Sequence, residues 1–181
     1  MFGYKIDDTL KLRILELRHA EPLYNVVRAN QQHIGKWLRW ANESYSLENA
    51  KSYITVGLNK FVANEGFRCG IWLNNELVGC VGLNRINWRS HYSPIGYWMA
   101  QEQQGKGIMT RSVKALIDYT FAEIGLNRLE IYCATENKRS RAVPERLGFS
   151  LEGILREADW LGDHFADIAL YSMLASEWPR S

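Results

Sequence analysis

Residues 95–134 constrain the fold more than any other part of this chain. Ile95-Gly96-Tyr97-Trp98-Met99-Ala100 reads as a strand, and Gln103-Gln104-Gly105-Lys106-Gly107-Ile108-Met109-Thr110 hands it over to the most regular helical pattern in the sequence. Met109, Val113, Leu116, Ile117, Phe121 and Ile124 recur three or four residues apart, an apolar stripe on one helical face. Gly125 follows where a left-handed residue ends a helix at little cost. Residues 128–134 then alternate apolar and polar as a second strand. Strand, helix and strand in succession predict a right-handed crossover with the two strands as parallel neighbours. A glycine-punctuated turn at a helix N-terminus leaves backbone N–H groups pointing outward at the positive end of the dipole, where phosphate binds readily. The other reading of the same residues is a tight turn that holds no ligand.

Two familiar phosphate loops do not fit. A Walker A loop would need glycine at Ala100 and Ser or Thr at Gly107, and a dinucleotide fingerprint would need a third glycine at Thr110. The chain has 181 residues, 46% of them hydrophobic, which suits one globular domain with a proper core. A net charge of +2 gives no electrostatic case for nucleic acid. The N-terminus lacks the basic-then-apolar design of a signal peptide, and no apolar run approaches the ~18 residues of a membrane helix. Cys69, Cys80 and Cys133 are odd in number and lack a CxxC pair, as expected of buried free thiols in a cytoplasmic protein. His19, His33, His91 and His164 show no ligand spacing, so no metal is expected. Seven Trp point to aromatic walls around a cleft as well as core.

In chain order, residues 10–17 read as a first strand and residues 21–34 as a helix with Pro22 in its first turn, broken by Gly35. Trp37-Leu38-Arg39-Trp40 is an irregular segment, with the two Trp as core plugs or as a groove wall. Ser46 caps a second helix that ends near Asn64-Glu65-Gly66. Phe67 to Leu73 and Leu77 to Leu83 form a hairpin across Asn74-Asn75. Residues 84–93 read as loop, and Gly96 marks a bulge or a close backbone approach in the next strand. A short helix at 140–147 ends at Gly148, and residues 149–159 and 164–174 pair as a last hairpin. The fold class is therefore α+β, a mixed sheet in the order β-α-α-β-β-β-α-β-α-β-β.

With that order in place, the residues resemble the GCN5-related N-acetyltransferase (GNAT) superfamily. Gln104-Gly105-Lys106-Gly107 is similar to its diphosphate loop, and Asn137-Lys138-Arg139-Ser140 followed by Leu147-Gly148-Phe149 to its Asn-x-x-Ser and Leu-Gly-Phe segment. Trp37 to Trp40, Gly96 to Met99, Gly107 to Thr110, Gly148 to Gly153 and Leu170-Tyr171 resemble the Rim-type ribosomal-protein N-terminal acetyltransferases. The resemblance covers residues 10–178 and implies a single N-acetyltransferase domain over 1–181. It implies that strands 95–100 and 128–134 splay to admit the pantetheine arm of acetyl-CoA. Trp98, Met99, Ala100, Gln104, Gly105, Lys106, Gly107, Ile108, Met109, Thr110 and Asn137 would bind that cosubstrate. A bulge near Gly96 to Met99 would aim a backbone N–H at the thioester carbonyl, a contribution typically worth about 3–4 kcal/mol.

The same resemblance gives Ser140 as the acid that protonates the leaving thiolate and Asp159 as the base acting through a water. Helix capping and turn formation are their structural alternatives. Glu152 and Glu145 are lesser base candidates, and Tyr97 is a further proton donor. Two departures stand out: Glu102 where the loop usually begins with Arg or Gln, and Pro144, which is expected to distort the short helix and shift Ser140.

The amine decides how much base is needed. A protein N-terminus with pKa about 8 is about a tenth neutral at pH 7, whereas a lysine near 10.4 is neutral about four times in ten thousand. The modest pair Ser140 and Asp159 fits the first. The expected activity is acetyl transfer to the α-amine of a protein, ribosomal proteins among them, by direct attack. A small amine (aminoglycoside, polyamine or amino acid) is the alternative acceptor, and an acyl-CoA-binding sensor is the alternative class. A homodimer is expected only by analogy of fold.

Overall fold

The computed structural model describes residues 3–179; Met1 and Phe2, which open the N-terminal reading above, lie outside it, as do Arg180 and Ser181. Its strands are β1 (Tyr4–Lys5), β2 (Leu10–Ile14), β3 (Phe67–Leu73), β4 (Glu76–Leu83), β5 (Tyr92–Met99), β6 (Arg128–Ala134), β7 (Ser150–Trp160) and β8 (Phe165–Leu174). Its α-helices are α1 (Ala20–Ala29), α2 (Gln31–Gly35), α3 (Leu47–Val62), α4 (Ile108–Tyr119) and α5 (Lys138–Arg146). The sheet order is β1-β2-β3-β4-β5-β6-β8-β7, antiparallel except where β5 meets β6 in parallel, as the crossover predicts.

That parallel pairing is short. Tyr92, Ser93 and Pro94 stand opposite Arg128, Leu129 and Glu130, and beyond Pro94 the two strands part. The sheet is thus split into β1–β5 and β6–β8–β7. Over the first half both faces are covered. On one, Ile71, Val81 and Leu83 pack with Val113, Leu116 and Ile117 of α4; on the other, Trp72, Cys80 and Trp98 pack with Leu23 and Val27 of α1 and Ile54 of α3. Over the second half, Leu129, Ile131, Cys133 and Tyr171 join the α4 side. Its other face carries a polar network in which Arg128 joins Glu130 and Glu152.

Local chemistry explains most boundaries. Asn74 and Asn75 both adopt positive φ, 49° and 67°, the backbone a two-residue hairpin turn requires. The Ser46 hydroxyl accepts from the Asn49 N–H and caps α3. Several boundaries differ from expectation. The helix expected over 21–34 breaks at Asn30 and not only at Gly35. Asn30 Nδ2 donates to Val26 O at 2.9 Å and its Oδ1 accepts from Gln101 N at 2.8 Å. A contact 71 residues away outweighs local propensity. β5 begins at Tyr92, inside the expected loop. It has no bulge: its register with β4 runs evenly from Gly79 opposite Met99 to Leu83 opposite Ile95. Gly96 instead makes room for a side chain, since a Cβ there would sit 2.7 Å from Asn84 Oδ1. The register shifts lie elsewhere, between Ile71 and Trp72 in the β3–β4 pairing and in β7 at Glu152 and between Leu155 and Asp159.

Candidate active site

The turn before α4 is built to expose donors. Gly105 and Gly107 have φ of 75° and 71°, and a Cβ on either would meet nothing within 4 Å, so the space outside the turn is open. The first turn of α4 closes with Arg111 N donating to Gly107 O at 3.1 Å. Among the described residues, the N–H groups from Gly105 to Thr110 have no hydrogen-bond acceptor. Six consecutive donors at the positive end of a helix form a cradle that fits a diphosphate. The side chains of Ile108 and Met109 are buried beneath it, so these residues offer only their backbones.

The Gln104 side chain is engaged at both ends of its amide. Arg139 Nη1 donates to its Oε1 at 2.5 Å, and its Nε2 lies 2.6 Å from His33 Nε2. Because a guanidinium only donates, the amide orientation is fixed, and His33 Nε2 must accept. Burial, then the Arg139 charge, pushes the His33 ring below the usual imidazole range, in keeping with that neutral form. Gln104 therefore straps α2 to α5 across the turn. Lys106 Nζ donates to Gln103 Oε1 at 3.0 Å, beside the glycines.

The cleft between β5 and β6 is lined by backbone. Ala100 N donates to Val78 O and Asn84 N to Pro94 O, so the even-numbered residues of this segment turn their polar groups toward β4. By the period of two, Tyr97 and Met99 turn theirs toward the gap, where pairing with β6 has ended. Of the three residues predicted around this strand end, Met99 thus faces the cleft, while Trp98 and Ala100 do not. The Trp98 ring lies under α3, with its indole N–H 3.5 Å from Tyr53 Oη and its ring edge on Trp40.

Three side chains meet across the opening. The Ser140 hydroxyl donates to Tyr97 Oη at 3.3 Å and lies 3.1 Å from Cys133 Sγ. The Tyr97 hydroxyl donates in turn to the Ser140 carbonyl at 2.9 Å. Burial pushes the Tyr97 phenol well above its ordinary value and raises the Cys133 thiol, so both stay protonated near neutral pH. Ser140 does not cap its helix. α5 starts at Lys138, and Asn137 caps it by accepting from Ser140 N at 3.1 Å, which leaves the Ser140 hydroxyl to Tyr97 and Cys133 and the Asn137 Nδ2 for other partners. Pro144 does not break the helix, which continues to Arg146. Tyr97 and Cys133 are more central than the sequence reading had them. The signal for Tyr97 was present, because it lies two residues before Met99 on the same strand edge.

The carboxylates sort clearly. Glu152 is held by both Arg128 Nη atoms at 2.7 Å and by Ser172 Oγ at 2.5 Å, and Arg128 first, then Ser172, bring its pKa down to about 2. Glu145 accepts from Tyr171 Oη at 2.7 Å. Asp159 belongs to strand β7 and not to the turn, is exposed, and its carboxylate makes no hydrogen bond among the described residues. It stands opposite Ala166, so it shares that residue's face of the sheet. Ala166 clusters there with Ala134, Ile168, Trp37 and Leu161. Ala134 follows Cys133 in β6, so this face is opposite to the one holding Cys133 and Ser140. A cavity of about 290 Å³ opens on it between Trp37, Lys36, Glu136, Leu161, Asp163 and His164. The structure therefore does not join Ser140 and Asp159 directly; it sets them on opposite faces of the β6–β8–β7 half.

A model of the acetyltransferase (GNAT) domain matches residues 9–150. The chain belongs to the GNAT family. YdaF of Bacillus subtilis (strain 168) is 36% identical over 179 residues, covering 98% of each protein. The ribosomal-protein-serine acetyltransferase of Escherichia coli (strain K12) is 32% identical over 173 residues, covering 94% of this chain and 95% of that one. Among solved structures, the RimL ribosomal L7/L12 alpha-N-protein acetyltransferase in complex with coenzyme A superposes with a TM-score of 0.91 at 28% identity, over 95% of this chain and 97% of that one. The Rim-type resemblance read from the sequence is thus matched in sequence and in fold, and this GNAT chain spans nearly the full length of its relatives. No helix among its described residues is long and apolar enough to cross a membrane.

Proposed function

We propose that this GNAT enzyme transfers the acetyl group of acetyl-CoA to the α-amine of a protein N-terminus, with ribosomal proteins the first acceptors to test. The observation that carries the reading is the run of free backbone donors from Gly105 to Thr110, set at the mouth of a split where β5 leaves β6. The donors suit the diphosphate, and the cleft edge of β5 suits an extended pantetheine arm. The thioester carbonyl would then face the N–H of Met99, an oxyanion donor supplied by the unpaired strand edge. Asn137 Nδ2 would hold the arm on the other side.

The two faces of the split divide the proton chemistry. The acceptor enters from the cavity by Trp37 and Glu136, where Asp159, through a water, takes the proton of the attacking amine. The thiolate departs on the opposite face, where the Ser140 hydroxyl supplies a proton and Tyr97 holds that hydroxyl in line. A base that only assists is sufficient for an α-amine, which is already partly neutral at pH 7. Action on ribosomal proteins would keep the enzyme in the cytoplasm.

The experiment is acetyl transfer from acetyl-CoA to short peptides with free N-termini, N-terminally blocked peptides carrying lysine, and small amines, read by thiol release and product mass. Acetylation at the α-amine is the expected result. Transfer to small amines alone would replace the acceptor class, and acetyl-CoA binding without turnover would favour a sensor.

A further inference from the structure

Pro144 sits inside α5, four residues after Ser140, at a place where its missing N–H has a consequence. In an uninterrupted helix the Ser140 carbonyl would accept from the N–H of residue 144. Proline has no such donor. The carbonyl is not left empty: the Tyr97 hydroxyl, reaching from β5 across the end of β6, donates to it at 2.9 Å. With its own proton committed there, Tyr97 Oη is left to accept, and it accepts from the Ser140 hydroxyl at 3.3 Å. Residues 97 and 140 are thus locked in a two-bond loop that an ordinary helical residue at 144 would compete with.

We infer that Pro144 is a positioning residue for catalysis: by withholding a helix donor from the Ser140 carbonyl, it pins the Tyr97 hydroxyl across the cleft and through it orients the Ser140 hydroxyl. This rests on the acetyltransferase reading above, in which Ser140 serves the leaving thiolate. The feature is built in rather than tolerated. Pro144 is buried next to Val143, Tyr97 is partly buried, and the phenol has in the Ser140 carbonyl an acceptor that lacks its ordinary donor from residue 144. A proline normally costs a helix interior both a bond and a clash, so a compensating contact from another element is what makes the position sustainable.

The test is a double-mutant cycle on the full-length enzyme with Pro144→Ala and Tyr97→Phe, reading kcat, KM for acetyl-CoA and thermal midpoint. Alanine restores the N–H with little change in volume. Pro144→Ala is expected to lower kcat roughly tenfold, with KM for acetyl-CoA unchanged within about twofold. In a Tyr97→Phe background the same substitution should do nothing further to kcat, because the hydroxyl it releases is already gone. Additive losses in the cycle, or a Pro144→Ala enzyme with full kcat, would overturn the inference. A shift in the thermal midpoint without that coupling would mark Pro144 as merely structural. Failure of the acetyltransferase reading looks different: the unsubstituted enzyme would then bind acetyl-CoA without turnover, and intact turnover in Ser140→Ala would remove the Ser140 role on which the inference rests.

Discussion

The two halves of the split sheet are built to different rules. β4 buries seven of its eight residues, whereas β7 buries none of its eleven. The first half is closed on both faces by helices, so its strands can hold a backbone edge, that of Tyr97 and Met99, rigidly at the cleft. The second half is covered on one face and meets solvent on the other, where a ligand as large as a polypeptide can approach. Rigid donors on the closed half and access on the open half are what an acyl transfer between a fixed thioester and a variable amine needs.

The largest effects should come from the side chains that meet at the cleft, where Ser140 touches Tyr97 and Cys133. Ser140→Ala is expected to lower kcat about a hundredfold, in the range of a lost general acid, with KM for acetyl-CoA unchanged in steady-state assays. Equal rates for mutant and wild type would remove the cleft from the chemistry. Next in size is the turn. Gly107 holds φ 71°, a conformation that costs an L-residue about 1–2 kcal/mol, so Gly107→Ala should weaken acetyl-CoA binding up to about tenfold by calorimetry while sparing kcat. On the open half, Asp159→Asn should slow peptide acetylation only several-fold at pH 7. The deficit should shrink as pH rises past about 8, where the α-amine no longer needs a base. A constant deficit across the pH range would assign Asp159 to acceptor binding.

The smallest effect tests the claim that Glu152 is structural. Its pKa is lowered from an ordinary 4.5 to about 2, chiefly by Arg128, so its ion pair stabilises the fold above the ordinary value and loses that contribution as pH falls toward 2. Glu152→Gln should therefore leave kcat unchanged and lower the melting temperature at pH 7, with the gap to wild type closing in acid. A gap that persists at pH 2 would contradict the pairing.

Much of this was legible in the residues. The glycine turn, the amphipathic stripe of α4 and the crossover to β6 are local signals with one consistent solution, and they gave the parallel pair and the donor cradle. What was not legible depends on partners far along the chain. Asn30 ends α1 because Gln101 awaits it, and Asn137, not Ser140, caps α5 because the helix begins two residues early. The bonds from His33 and Arg139 that hold both ends of the Gln104 amide left no local signal either. Pro144 reads as a defect in sequence and as a contact in space. The bulges of β7 left no signal, since an exposed edge strand has no buried face to fix its register.

The most direct test of the central claim is an amide NMR titration of the free protein with coenzyme A. The signals from Gly105 to Thr110 and those of Tyr97 and Met99 are expected to shift together, while the β7 amides stay in place. Shifts gathered on β7, or none in the Gly105 to Thr110 turn at saturation, would contradict it.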